Sequence, residues 1–149
     1  MTLPVHEKQL KNPRKVPCIV VLDTMWGSGG RAPGFFRINP NNHSGKRLYK
    51  LIGHEDFWVT NCCREQTTHA RLHGTPDPSW LKQNLLRITP EVILLCGRVA
   101  QETWNRLGLD IATVKRESTV YRLPHPAARN WTKESLQLWT ERLAKHVPI

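Results

Sequence analysis

His125 stands between two prolines, in Leu123-Pro124-His125-Pro126, directly after a short β-type run, Val120–Leu123. Prolines on both sides exclude the imidazole from a regular helix or an inner strand and mount it on a stiff turn. A ring held this way suits proton transfer or ligand reading, although the same pattern also fits a purely structural turn. Its meaning depends on which other groups gather beside it. Three candidates share its setting at the end of an apolar run: Asp23 after Val16–Leu22, Asn61 closing Phe57–Asn61, and Gly97-Arg98 after Val92–Cys96. A carboxylate, a carboxamide, an imidazole and arginines are the ingredients of a polar site. The Asn61 amide presents a donor and an acceptor in one plane, the pattern that reads a pyrimidine edge. As a strand-end residue it equally suits a turn cap.

For these groups to meet, the fold must bring the strand ends together. VPCIVVL (16–22) is a continuous apolar, β-branched run, the signature of a strand buried on both faces. FWVTN (57–61), VILLC (92–96) and VYRL (120–123) supply three more strands, with Pro90 just ahead of the third. Helical signals lie between them. Ser44 reads as an N-cap for a helix that runs to Gly53. Asp77-Pro78-Ser79 opens a helix over Trp80–Ile88, with Leu81, Leu85 and Ile88 at i, i+4 and i+7. Val99–Leu107 forms a third helix, stopped by Gly108. Thr132 opens a fourth, Lys133–His146, with Leu136, Trp139, Leu143 and Val147 on its apolar stripe. Strands alternating with helices predict an α/β fold with a central, mainly parallel four-stranded sheet. In such sheets ligands bind beyond the carboxyl ends of the strands, where all the candidate residues fall.

Composition narrows the partner. The 149 residues suffice for one domain with a real core, taken as 16–149 behind a basic N-terminal arm over 1–15. Twenty-two Lys and Arg against twelve Asp and Glu give a net charge of +10, which favours a polyanion, nucleic acid first. The same balance is also that of a generally basic soluble protein. No apolar run has the length of a membrane span, and the N-terminus shows no signal-peptide core, so no membrane partner is expected. Cys18, Cys62, Cys63 and Cys96 form no CxxC pair and read as buried, reduced thiols of a cytoplasmic protein, expected to be a monomer.

Several motifs compete for the glycine-rich stretch after Asp23. Gly27–Ala32 fits GxGxxA, but Pro33-Gly34 falls where a dinucleotide site needs a helix, and no acidic residue closes the second strand. GxxxxGK[ST] is absent, and Ser28 with His125 and Asp23 lacks the GxSxG elbow of a hydrolase triad. Cys62 and Cys63 with His69 and His73 offer zinc ligands without a general base, and Gly74 and Pro76 interrupt any helix there. The glycines also permit close backbone approach to a ligand. Phe35-Phe36 or Trp26 then supplies a stacking surface for a flat base, unless the phenylalanines only fill the core. Arg129-Asn130-Trp131 suits a duplex contact or a phosphate grip, and equally a cap for the last helix.

Four collinear stretches carry a resemblance: SGKRLYKLIG (44–53), FWVTNCCR (57–64), ITPEVILLCGRVAQETW (88–104) and LPHPAARN (123–130). Together they resemble the uracil-DNA glycosylase superfamily, particularly its iron–sulfur branch and related short bacterial and phage members. The likeness spans roughly residues 16–145. It implies a three-layer α/β/α domain that flips a pyrimidine, uracil or a modified uracil, out of DNA and hydrolyses its N-glycosidic bond. It places His125 at the catalytic histidine and Asn61 at the base-reading position. Asp23 takes the place of a water-activating group, while Met25, Trp26 and Phe36 line the base. Lys46, Arg64, Arg98, Arg129 and Asn130 face DNA.

The departures are as informative. The family's Gly-Glu-Ala-Pro-Gly-like first motif is replaced by Asp23-Thr24-Met25-Trp26-Gly27, and Ala127 stands where a serine follows His-Pro. The cluster cysteines are not reproduced, so no iron–sulfur cluster or other cofactor is expected. Two alternatives follow: a phage-type transferase modifying hydroxymethyl-uracil in DNA on the same fold, and a non-catalytic nucleic-acid-binding module.

Overall fold

The computed structural model describes residues 14–24, 34–67, 74–108 and 118–146. Met25, Trp26, Ser28, His69, His73, Val147 and nearly all of the basic arm lie outside the described residues. The strands are β1 (Arg14–Leu22), β2 (Phe57–Asn61), β3 (Ile88–Cys96) and β4 (Thr119–Leu123). They form one sheet in the order β2-β1-β3-β4, and every pairing is parallel. Helices α1 (His43–Ile52), α2 (Pro78–Leu85), α3 (Arg98–Asn105) and α4 (Lys133–Ala144) alternate with them.

The period of two along each inner strand splits the core into two layers. Ile19 and Val21 of β1, with Ile93 and Leu95 of β3, pack against Leu81 and Leu85 of α2 and Ala100 and Trp104 of α3. Cys18, Val20, Val92 and Leu94 point the other way, to Leu48, Leu51 and Ile52 of α1 and Leu143 of α4. This is the expected three-layer α/β/α arrangement, with β1 and β3 buried on both faces.

Several boundaries move, each for a local reason. β1 starts at Arg14 rather than Val16, and the first helix is capped by Asn42, not Ser44: the Asn42 side chain accepts from Gly45 N at 2.6 Å. The second helix ends at Leu85, and Ile88 opens β3. Ile88 still packs in the same layer as Leu81 and Leu85, which is why its spacing read as helical. Pro90 lies inside β3, opposite Val16. Pairing with β4 begins only at Val92, so a residue without an N–H is tolerated there, and Ser118 Oγ donates to the Pro90 carbonyl at 2.6 Å. The third helix spans Arg98–Asn105 instead of Val99–Leu107. Thr132 caps α4 as expected, with Ser135 completing a capping box.

Phe36 forms an antiparallel bridge with Val59, exchanging hydrogen bonds of 2.9 Å on the outer side of β2. The turn from there to α1 passes so close to the helix that a Cβ on Gly45 would stand 1.9 Å from Asn39 O. Backbone oxygen gives no room for adjustment. Gly45→Ala is expected to lower stability by ~1–3 kcal/mol, the usual cost of overpacking. Urea denaturation checks this, and an unchanged midpoint would mean that the turn is not held against α1.

Candidate active site

Because all four strands run parallel, Asp23, Asn61, Gly97 and His125 lie at the same edge of the sheet, each just at or beyond a strand's carboxyl end. His125 is the most elaborately held. Gly97 N donates to Leu123 O at 2.9 Å, and Gln101 Nε2 donates to the same oxygen at 3.2 Å, pinning the strand just before the turn. The His125 carbonyl accepts from Trp131 Nε1 at 2.8 Å and from Ala128 N at 2.9 Å. Gly97, at φ 91°, packs against the base of the His125 side chain, and a Cβ there would come within 3.2 Å of His125 Cβ. Only glycine satisfies both the backbone conformation and the contact.

The imidazole's protonation follows from its contacts. Ala127 N donates to His125 Nδ1 at 3.0 Å, so Nδ1 is an acceptor and the neutral ring carries its proton on Nε2. Burial holds the His125 pKa below its ordinary 6.5, opposed by the negative charge of Asp23. The two groups are therefore electrostatically within reach of each other. Asp23 is gripped in turn: Thr24 Oγ1 donates to its Oδ1 at 2.7 Å, Cys63 Sγ lies 3.8 Å from the same oxygen, and Gly74 N donates to Thr24 Oγ1 at 3.2 Å. Its carbonyl accepts from Cys62 N and Cys63 N, both at 3.1 Å.

Asn61 is 2% exposed, and its Nδ2 has no hydrogen-bond partner. An orphaned buried donor costs ~1–3 kcal/mol. Trp58 Nε1, Thr60 Oγ1 and Asn84 Nδ2 are buried without a hydrogen-bond partner as well, but of these side-chain atoms the Asn61 amide is the one at the strand-end site. Phe36 is 6% exposed and packs with Val59 and Leu48, whereas Phe35 faces the opposite layer. Both rings are built into the core around the edge of β2.

The basic residues are less uniform. Lys46 is exposed on α1, Arg64 is half-buried just beyond β2, and Arg129 and Asn130 are exposed on the turn before α4. Arg98 lies along its own helix, with Nε 2.7 Å from Glu102 Oε1. Both members of that pair are solvent-exposed, so it is readily exchanged for another anion. A groove of about 520 Å³ begins at Gly97 and Pro124 and runs between α3 and β4, past Arg98 and Arg122.

The thiols argue for structural roles. All four cysteines are free and buried. Burial raises each pKa, that of Cys62 to about 12, which keeps it protonated. Among the described residues no group of three or more His, Cys, Asp or Glu is placed to hold a metal ion. Also among them, no helix is long and apolar enough to cross a membrane.

Sequence reasoning missed three contributors: Thr24, which orients Asp23, and Arg47 and Trp131, which hold the histidine turn. Arg47 Nη1 donates to Pro126 O at 3.1 Å, and its guanidinium lies 5.5 Å from the centre of the Trp131 ring. Arg47 sits in the SGKRLYKLIG stretch, but nothing local to that helix reveals its partner on a distant turn.

A three-layer α/β/α arrangement with an all-parallel sheet and polar residues at its carboxyl edge defines the class, one in which ligands generally bind beyond the strand ends. A model of the uracil DNA glycosylase superfamily matches residues 32–145, and the chain belongs to that superfamily. Members of it act on DNA, in keeping with the net charge of +10. A search of curated proteins finds no match to the chain.

The His125 assignment has a direct consequence for pH. A folded-state pKa below the unfolded value means that the unfolded chain binds the proton more readily. His125 thus contributes stability that is complete above pH 6.5 and is lost as pH falls through its depressed folded value. In an NMR titration its imidazole is expected to titrate below 6.5, with the neutral form protonated at Nε2. Titration at or above 6.5 would contradict the burial of this ring.

Proposed function

We propose that this protein extrudes a pyrimidine, uracil or a modified uracil, from DNA and hydrolyses its N-glycosidic bond at the strand-end site. The observation that carries the reading is the locked His125 tautomer. A neutral imidazole with its proton on Nε2 is a donor, ready to stabilise the negative charge that grows on O2 of a departing base. The depressed pKa leaves the ring uncharged near pH 7, so it acts as a neutral hydrogen-bond donor.

The other groups find roles around it. Asn61 Nδ2, buried and unpartnered, donates to the O4 carbonyl of uracil, and its side-chain oxygen accepts from N3–H. Asp23 holds a water, or stabilises positive charge on the sugar, from a carboxylate fixed by Thr24. Phe36 offers an apolar surface to the base, and Met25 and Trp26, which lie outside the described residues, are assigned the same role. Lys46, Arg64, Arg98, Arg129 and Asn130 take phosphates or the strand around the extruded nucleotide, which makes binding fall steeply with salt. The protein acts as a monomer and needs no cofactor for this chemistry.

A second reading has its own observation. Asp23 Oδ1 is already engaged by Thr24, and Cys63 lies beside it, an arrangement that differs from a carboxylate free to activate water. Modification of the base, as in a transferase acting on hydroxymethyl-uracil, keeps base recognition and dispenses with that water.

The pure protein is to be incubated with oligonucleotides bearing uracil, hydroxymethyl-uracil or a G·T mismatch, and both strand and released base followed by mass spectrometry. Free base and an abasic strand are expected, with His125→Ala slower on the order of 10²–10³-fold, as for removal of one donor to a developing oxyanion. Asp23→Asn is expected to abolish most of the remaining turnover. Equal cleavage by Asp23→Asn would remove that residue from the mechanism. An altered nucleoside in an intact strand would replace hydrolysis by base modification, and salt-sensitive binding without product would leave a binding module.

A further inference from the structure

Arg47 lies on α1, 79 residues before Pro126, and yet ends on the histidine turn. Its Nη1 donates to Pro126 O at 3.1 Å. That oxygen and the N–H of Ala127 are the two ends of one peptide unit, and the N–H end donates to His125 Nδ1 at 3.0 Å. A rigid plane therefore lies between the guanidinium and the imidazole, gripped at one end and donating at the other. The guanidinium also lies over Trp131, whose Nε1 donates to the His125 carbonyl at 2.8 Å.

We propose that Arg47 is a positioning residue for His125, acting through the single peptide unit that joins Pro126 to Ala127. Two effects pass along that unit. The Arg47 contact fixes the peptide plane, so its N–H stays aimed at Nδ1 and the ring proton stays on Nε2. A cation at a carbonyl oxygen also polarises the amide and strengthens the bond donated by its N–H. The planar guanidinium, held over an aromatic ring, is suited to keeping one orientation.

Other charges around the imidazole do not duplicate this. Asp23, at the end of β1, acts on the ring by charge and favours the imidazolium. Arg98, at the start of α3 beside Gly97, is turned to Glu102. Arg129, on the ring's own turn, is exposed. Arg47 is the group whose contact reaches Nδ1 through bonded atoms.

The inference rests on His125 being the hydrogen-bond donor of the site, and its test is read on the ring itself. With ¹⁵N-labelled imidazole, Arg47→Gln, too short to reach Pro126 O but still polar, is expected to let the Nδ1–H tautomer appear and to move the His125 pKa toward 6.5. Arg47→Lys, which keeps the charge and a donor, is expected to restore much of the original tautomer. Should the Gln variant not fold, Arg47→Met reads the same quantity. In base release, the Gln variant is expected to lose kcat with KM and the salt dependence of DNA binding unchanged. An unaltered tautomer in the Gln or Met variant would overturn the proposal, whether or not the pKa moves, since a pKa change alone marks a bare field effect. A weaker salt dependence with an unchanged ring would overturn it too, marking Arg47 as a phosphate contact. The imidazole signals decide even if no base is released, so failure of the glycosylase reading and failure of this inference remain separate results.

Discussion

Parallel pairing imposes the condition on which this site depends. Four strands joined edge to edge in one direction must all end on the same side, and the chain has to cross back through a helix after each. Residues that follow the strands are thereby collected without any specific attraction between them. Asp23, Asn61, Gly97 and His125 come from four separate stretches of chain, and the register that aligns Leu22 with Asn61 and Cys96 with Leu123 brings their strand ends level. The driving force is burial of the β1 and β3 side chains on both faces.

Alignment delivers the residues, but it does not orient them. Orientation comes from short, directional contacts confined to the strand ends. Two prolines stiffen the His125 turn, Gly97 lets the side chain pack close to the strand end, and the Ala127 N–H fixes its tautomer. Thr24 does for the Asp23 carboxylate what Ala127 does for the imidazole. Asn61 is the contrast, since its donor stays unmet in a buried setting. The acid and one nitrogen of the imidazole are thus fixed by neighbouring protein groups, while the buried amide donor is not.

The layered fold was legible because its signals are local and strong. Apolar or β-type runs marked all four strands, and Phe57–Asn61 was located to the residue because Asp56 precedes it and its own polar amide closes it. Ile88 misled because helix and strand bring it to the same core layer, and Pro90 misled because its tolerance depends on where a neighbouring strand begins. At the site, His125 and Asn61 were legible as polar residues closing apolar runs. Arg47, Thr24 and Trp131 were not: the partner of Arg47 is far away in sequence, and the contacts of Thr24 and Trp131, though local, depend on side-chain directions that no residue pattern reveals. Phe36 could be named but not placed, since the bridge to Val59 that buries it is a tertiary contact.

The central claim is that the strand-end site accepts a pyrimidine whose carbonyl satisfies Asn61. Free uracil titrated into ¹⁵N-labelled protein tests it most directly, with the side-chain amide of Asn61 and the imidazole of His125 observed together. The account predicts saturable shifts of both signals, with weaker uracil binding and a smaller His125 shift in the Asn61→Ala protein. Saturable binding that leaves the Asn61 amide and the His125 ring unmoved, or that survives Asn61→Ala undiminished, would contradict it.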